Sequence, residues 1–479
     1  MEELDVKTIA KRSVNGVVAL ISRTFIVQLI SLLLTVFLSP SIYGVFFIVS
    51  AIIPFLSYFS DIGLAAALVQ KKEPVTDDDL KTTFTIQQVL VVTIVVIAFL
   101  LSDKIASFYR LEAVGVQLFQ ALLIAFFFSS LKTIPSVLLE RHLHFRKLVL
   151  PQIVETFLFN ITVLVLVLKG FGVASFTYAV LVRGISGLLT IYIIAPWMPR
   201  IGFSKKSAKK LLSFGIPFQV NSLLALLKDD LLIIYLGRVL PLAQIGYIGF
   251  AQKWAFMPLR LVMDNVIRIT FPSFSRLAHD KDNLSKGIEK ALFASCFLIF
   301  PASLGLIILF PYFVTIFPKY TKWEPALVSL SLLAINAAFS SVSTPLTNAL
   351  NAIGKIKITL YLMVGWTILT WGLTPLFIYL FGFNGFALAS AIISLSVVFV
   401  VYIVKKYIPF NIIGVVRYPL ISSGVMGIVL YMVSPLVINN FAMLILAGVL
   451  GLIVYLTTMF VLSKEQMVSD ISLVRENLK

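Results

Sequence analysis

The feature that most constrains this chain is a succession of apolar runs, each long enough to cross a bilayer, joined by loops too short to fold alone. A helix rising 1.5 Å per residue needs about 20 apolar residues to span the hydrocarbon. Such runs lie near 13–38, 43–60, 83–101, 115–138, 148–168, 172–195, 211–236, 242–262, 288–312, 323–343, 357–379, 383–404, 417–437 and 440–462. The expected fold class is therefore all-α integral membrane, with 14 transmembrane helices. Composition agrees: 59% of the 479 residues are hydrophobic and 13% are charged, against roughly a quarter charged in soluble domains.

The loops alternate in charge. Of 39 Lys and Arg residues, 26 fall on one side, 6 on the other, and 7 within or beside spans. This asymmetry is the positive-inside signal; it places both termini in the cytoplasm of a cell (inner) membrane and requires an even number of spans. It also turns the net charge of +17 toward membrane lipids with anionic headgroups and away from nucleic acid. The polar start MEELDVKTIAKRSVNG leads into an apolar run too long for a signal core, so no cleaved leader is expected. Cys296 is the one cysteine, which excludes an internal disulfide and thiolate metal chemistry. No GxxxxGK[ST] loop is present for ATP, and no loop has the length of a catalytic domain, so the chain reads as a non-enzyme without a cofactor. His142 and His144 in ERHLHF read as ordinary loop histidines, and no metal site is expected.

The two halves resemble each other. SSLKTIPSVLLERHLHFRK (129–147) lies over SSVSTPLTNALNAIGKIKI (340–358), and LSPSIYGVFF lies over LPLAQIGYIGF at a shift of 201–202. Six spans separate the copies, so they share orientation and form a parallel repeat about an axis along the membrane normal. Transporters of this design bind substrate between two bundles that rock in alternating access. The expected divisions are 1–200 (helices 1–6), 201–412 (helices 7–12) and 413–479 (helices 13–14 with a cytoplasmic tail).

Ionisable residues inside spans cost about 2.5–3.5 kcal/mol each on insertion scales, so they face a cavity or a partner. The cations are Arg23, Lys132, Arg183, Lys228, Lys253 and Arg260; the anions are Glu155, Asp229 and Asp230. Lys132 and Arg260 are near enough to the cytoplasm for snorkelling to compete with a site. The excess of positive charge suits an anionic headgroup, and Arg binds phosphate with paired hydrogen bonds. In LLALLKDDLL, neighbours on a helix differ by about 100°, so Lys228 and Asp230 point apart. Residues three and four away are apolar, which predicts partners from other helices.

FSDIGLAAALVQKKE (59–73), LLERHLHFRKLVL (138–150) and DLLIIYLGRVLPLAQIGYIGFA (230–251) resemble the recurring patterns of polysaccharide exporters, the O-antigen and teichuronic-acid type flippases of the multidrug/oligosaccharidyl-lipid/polysaccharide exporter superfamily. The resemblance implies two six-helix lobes in a V with two trailing helices. It implies flipping of a polyprenyl-diphosphate-linked oligosaccharide from the inner to the outer leaflet, coupled to a Na+ or H+ gradient, with polysaccharide polymerases or glycosyltransferases as candidate partners. It also implies an acidic residue on helix 7, which Asp230 matches.

These readings assign the diphosphate and sugar cavity to Arg23, Arg183, Lys253, Arg260 and Lys132. They assign ion coupling or gating to Asp229, Asp230, Glu155 and Lys228, with Gln28 as the repeat counterpart of Asp230. Three other functions stay open: a peptidoglycan lipid-precursor flippase, whose substrate carries the same diphosphate; a multidrug cation antiporter, which the cationic interior disfavours; and an integral-membrane glycosyltransferase, for which the outer loops offer only Asp103 and Glu112.

Overall fold

The computed structural model describes residues 32, 34–71, 73–142 and 144–478, which are all-helical with no strand among them. Eleven helices in these residues are long and apolar enough to cross a membrane. They coincide with expected spans 2–6 and 9–14. Span 1 lies almost wholly outside the described residues.

Spans 7 and 8 form helices, each in two pieces. Span 7 divides into Lys205–Lys228 and Asp230–Val239, around Asp229. Span 8 divides into Leu242–Ala255 and Met257–Leu277. There Pro258 stands in the first turn of the second piece, where its missing N–H leaves no gap in the hydrogen bonding.

Contacts group the chain into two compact units, 1–246 and 247–479. The first opens with α1 (Pro40–Asp61), the short α2 (Leu64–Gln70) and α3 (Asp77–Leu100). It continues through α4 (Ser102–Phe108), α5 (Ala113–Leu131), α6 (Thr133–Arg141), α7 (Phe145–Leu168) and α8 (Ala174–Ile194). The two pieces of span 7 are α9 and α10, and α11 (Leu242–Ala255) begins at its end.

Local chemistry sets these boundaries. Ser39 accepts the Ile42 amide ahead of Pro40, which starts α1. Thr76 and Asp79 form a reciprocal capping box at the start of α3. Caps of this kind are worth about 1 kcal/mol each. α7 and α8 pair along their lengths, α8 also packs on α5, and α5 packs on α1 and α3.

The three motifs of the resemblance acquire structural roles here. In FSDIG, the Asp61 carboxylate accepts the Ala65 amide at 3.2 Å, and Ile62 and Gly63 take left-handed φ values of 47° and 73°. That turn lets α2 start immediately after α1. A Cβ on Gly63 would lie 2.3 Å from the Gly215 carbonyl oxygen on α9, so only glycine fits the approach. In ERHLHF, the Arg141 guanidinium donates to the carbonyls of Leu68 (2.8 Å), Lys71 (2.6 Å) and Glu73 (3.0 Å). It thereby satisfies the open C-terminal end of α2 and the chain that follows. Lys71 pairs with the buried Asp79, and Glu73 with Lys210 of α9.

The third motif carries a close crossing. A Cβ on Gly44 of α1 would lie 1.9 Å from the Leu242 carbonyl oxygen, and one on Gly246 of α11 would lie 1.9 Å from the Pro40 carbonyl oxygen. The two backbones touch with no side chain between them.

The second unit contains α12 (Met257–Leu277), the long α13 (Lys281–Ile316), a 3₁₀ segment over Pro318–Ala326, and α14 (Leu327–Ala352). It continues with α15 (Ile356–Phe381), α16 (Asn384–Ser394), α17 (Val397–Lys405), α18 (Ile412–Val437) and α19 (Phe441–Leu478). One core joins Phe274, Ile288, Leu292, Leu346, Leu350 and Val400. A second docks the last two helices on α13 through Met426, Leu430, Tyr455 and Met459, with the Tyr455 hydroxyl donating to the Phe297 carbonyl at 2.7 Å. The outward faces stay apolar: Ile368, Leu420, Ile428 and Ile453 are exposed. In water such a surface would drive association; against lipid chains it is the expected exterior.

Candidate functional site

The structure gathers three of the sequence-predicted residues into one cluster in the first unit. Glu155 on α7 is buried. Its Oε1 accepts from the Lys132 ammonium at 2.5 Å, and its Oε2 lies 3.8 Å from Arg183 Nε on α8. Lys132 occupies the junction between α5 and α6. From there its ammonium meets Glu155 and is mostly buried. The three charges sum to one positive.

The members differ in exposure. The side chains of Glu155 and Lys132 are 10% and 17% exposed, and that of Arg183 is 56% exposed. Arg183 also lies above the Phe159 ring, 5.9 Å from its centre, a distance at which cation–π attraction operates. The cluster thus hides one cation and displays another.

Sequence reading missed the residue that makes the cluster fit. A Cβ on Gly187 would fall 1.7 Å from Glu155 Oε1 and 2.4 Å from its Cδ. The carboxylate therefore lies directly on the α8 backbone. A glycine in VRGISGLL reads as a generic helix-packing residue; only the pairing of α7 with α8 shows what occupies the missing side chain's place.

The second cluster lies at the break of span 7. Lys228 ends α9, Asp230 begins α10, and Asp229 stands between them with φ −101° and ψ −62°. Lys228 Nζ lies 3.5 Å from Asp229 Oδ1. The expectation that Lys228 draws its partner from another helix is thus corrected. The irregular Asp229 backbone departs from the 100° step of a regular helix and brings adjacent side chains together. Asp229 is exposed, and Asp230 half-buried. Discontinuous helices of this sort present charges and free backbone groups to ions and substrates in transporters.

Below this break, α1 and α9 are joined by a reciprocal pair that sequence reading also missed. The Tyr58 hydroxyl donates to the Gln219 carbonyl at 2.7 Å, and the Gln219 side-chain amide donates to the Tyr58 carbonyl at 2.6 Å.

Lys253 and Arg260 belong to the second unit. The Lys253 ammonium lies 5.7 Å from the centre of the Trp254 ring, and Arg260 is exposed in the first turn of α12. Arg23 and Gln28 lie outside the described residues.

A family described as "Polysaccharide biosynthesis protein" matches residues 33–328, more than half of the chain and inclusive of both clusters. The chain belongs to this polysaccharide biosynthesis protein family. Among its relatives, an uncharacterized membrane protein in the cps region of Klebsiella pneumoniae is 28% identical over 350 residues, 71% of each chain. The teichuronic acid biosynthesis protein TuaB of Bacillus subtilis (strain 168) is 26% identical over 63% of this chain and 62% of its own. The lipopolysaccharide biosynthesis protein WzxC of Escherichia coli (strain K12) is 25% identical over 66% and 64%. The chain thus spans somewhat under two thirds of the length of these last two.

Among solved structures, the lipid II flippase MurJ in an inward closed conformation matches with a TM-score of 0.75 at 17% identity, covering 94% of this chain and 100% of that one. An inward-facing MATE multidrug resistance transporter of the MOP superfamily matches at 0.58 and 16% identity, covering 80% and 96%. At such identities the likeness shows a shared fold. The polysaccharide biosynthesis protein family therefore has, in this chain, the all-helical architecture found in both a lipid-precursor flippase and multidrug transporters.

Proposed function

We propose that this chain is a flippase that moves a polyprenyl-diphosphate-linked oligosaccharide from the inner to the outer leaflet by alternating access, driven by a Na+ or H+ gradient. The observation that carries the reading is the family match across 33–328, which contains a membrane-embedded charge cluster of net positive sign. Relatives named for teichuronic acid and lipopolysaccharide biosynthesis support a glycan-lipid substrate. The fold shared with a lipid II flippase supports translocation without bond-making, so no enzymatic step is assigned. The reading keeps fourteen spans, cytoplasmic termini and a cell-membrane location.

In this mechanism the diphosphate carries the charge that the protein must replace when water is left behind. Arg183 offers a displayed guanidinium on a rigid helix, suited to paired hydrogen bonds with phosphate oxygens. Arg23, Lys253 and Arg260 complete the cationic set. Lys132 is held by Glu155 rather than offered to substrate. Asp229 and Asp230 at the break of span 7 form the candidate coupling site. An ion drives the cycle only by binding one state more tightly than another, and a broken helix supplies carboxylates whose setting changes when its two pieces move.

The test is direct. Full-length protein in proteoliposomes should translocate a fluorescent polyprenyl-diphosphate disaccharide at a rate that rises with an imposed Na+ or H+ gradient. Equal rates with and without the protein would overturn the reading. Faster movement of a peptidoglycan precursor than of the disaccharide would reassign the substrate.

A further inference from the structure

The Lys132–Glu155–Arg183 cluster contains a carboxylate whose sequence-based assignment was ion coupling or gating. Its setting points elsewhere. Glu155 is buried, one oxygen is taken up by Lys132 at 2.5 Å, and the other faces Arg183 at 3.8 Å. Gly187 presses against it from α8, with room for no Cβ. A coupling carboxylate must exchange its partner for an ion during the cycle. Glu155 is instead enclosed by an ammonium, a guanidinium and a helix backbone.

We propose that Glu155 is a positioning residue that acts through Lys132: it neutralises that mostly buried ammonium and keeps it from the substrate, so that the cluster presents one cation, the Arg183 guanidinium, to the anionic headgroup. This assignment rests on the flippase reading. Its physical basis is the asymmetry of buried ion pairs. Removing one partner leaves an uncompensated buried charge, whereas replacing both with neutral groups of similar shape is often nearly neutral. Gly187 is part of the same device, because the carboxylate that holds Lys132 occupies the place that glycine leaves open.

Four full-length variants in proteoliposomes test it, with the fluorescent polyprenyl-diphosphate disaccharide as probe and vesicles of phosphatidylethanolamine and phosphatidylglycerol. Glu155→Gln and Lys132→Met should each slow translocation about tenfold or more. The double variant Glu155→Gln/Lys132→Met should return to within about threefold of wild type and keep the wild-type response to the ion gradient. Gly187→Ala leaves every charge in place but displaces the carboxylate, so it should fall with the single variants. A double variant as slow as either single one, or one that has lost its gradient response, would overturn the assignment. So would Gly187→Ala at wild-type rate.

Thermal unfolding of the same purified variants separates this inference from the reading beneath it. The singles should melt below wild type, with recovery in the double. If wild type fails to move the probe, the flippase reading falls. The positioning role then stands or falls on that recovery, and a double variant melting no higher than the singles overturns it.

Discussion

Gly44 and Gly246 face each other's helices reciprocally: the place of a Cβ on Gly44 is filled by the Leu242 carbonyl, and that on Gly246 by the Pro40 carbonyl. The glycines are 202 residues apart, and so are Pro40 and Leu242. The contact is therefore symmetric in the register of the sequence repeat. Two copies of one motif meet through equivalent atoms, as an isologous interface does between subunits.

Substitution at this crossing should be costly. Gly44→Ala and Gly246→Ala each place a methyl group at 1.9 Å from a carbonyl oxygen, and α1 and α11 must separate to admit it. Overpacking of this kind costs about 1–3 kcal/mol. The two changes strain one contact, so their effects should fall short of adding in the double variant. Melting temperatures of the purified single and double variants check both statements.

Arg141 should resist conservative replacement. Its guanidinium reaches the Leu68, Lys71 and Glu73 carbonyls together, a spread that a lysine ammonium cannot match. Arg141→Lys should destabilise the protein by about 1.5–3 kcal/mol, the scale of a lost charge-assisted hydrogen bond. Faster hydrogen exchange confined to α2 and the loop after it would place the effect.

The Glu73–Lys210 pair is an exposed counterpart and should matter far less. Hydrogen bonding and attraction from Lys210 hold the Glu73 carboxyl below its usual range. The pair therefore contributes only while Glu73 is ionised. Its contribution is in full above the ordinary glutamate value of about 4.3 and is lost as pH falls through the lowered value. Glu73→Gln should leave the melting temperature near neutral pH almost unchanged and remove a small part of its decline in acid, as a melting series from pH 7 to pH 3 will show.

Arg183→Ala should lower translocation of the lipid-linked sugar about tenfold or more, the change produced by about 1.4 kcal/mol. Arg183→Lys should recover only part of the rate, because a point charge cannot hold two phosphate oxygens at once. Initial rates in proteoliposomes measure both.

Asp230→Asn should uncouple transport from the ion gradient while leaving the protein folded, since Asp230 opens α10 beside a break that already exists. Rates measured with the gradient imposed and collapsed should converge in this variant. Retention of the full wild-type difference would move the coupling site elsewhere.

Much of the fold was legible because lipid imposes a simple rule. Backbone groups in hydrocarbon must be satisfied within the segment, so apolar runs of sufficient length become helices. Expected spans 2–6 and 9–14 coincide with helices that meet that standard. Several runs are divided: span 4 at Lys132, span 7 at Asp229, span 8 at Phe256, and span 12 at Leu395 and Ser396. Pro258 follows the division in span 8, in the first turn of the new piece, where its missing N–H costs no hydrogen bond.

The sequence by itself determined which residues are too costly to leave in lipid, and Lys132, Glu155 and Arg183 were found on that ground alone. It did not determine who meets whom. The 3.6-residue period places a side chain on one face of its own helix and says nothing of the helix opposite. Tertiary packing of α7 on α8 decided that Glu155 lies against Gly187 and takes Lys132 as its partner. The break at Asp229 decided that Lys228 is held by its neighbour. Charges are written into a sequence one residue at a time, but an ion pair depends on two helices meeting.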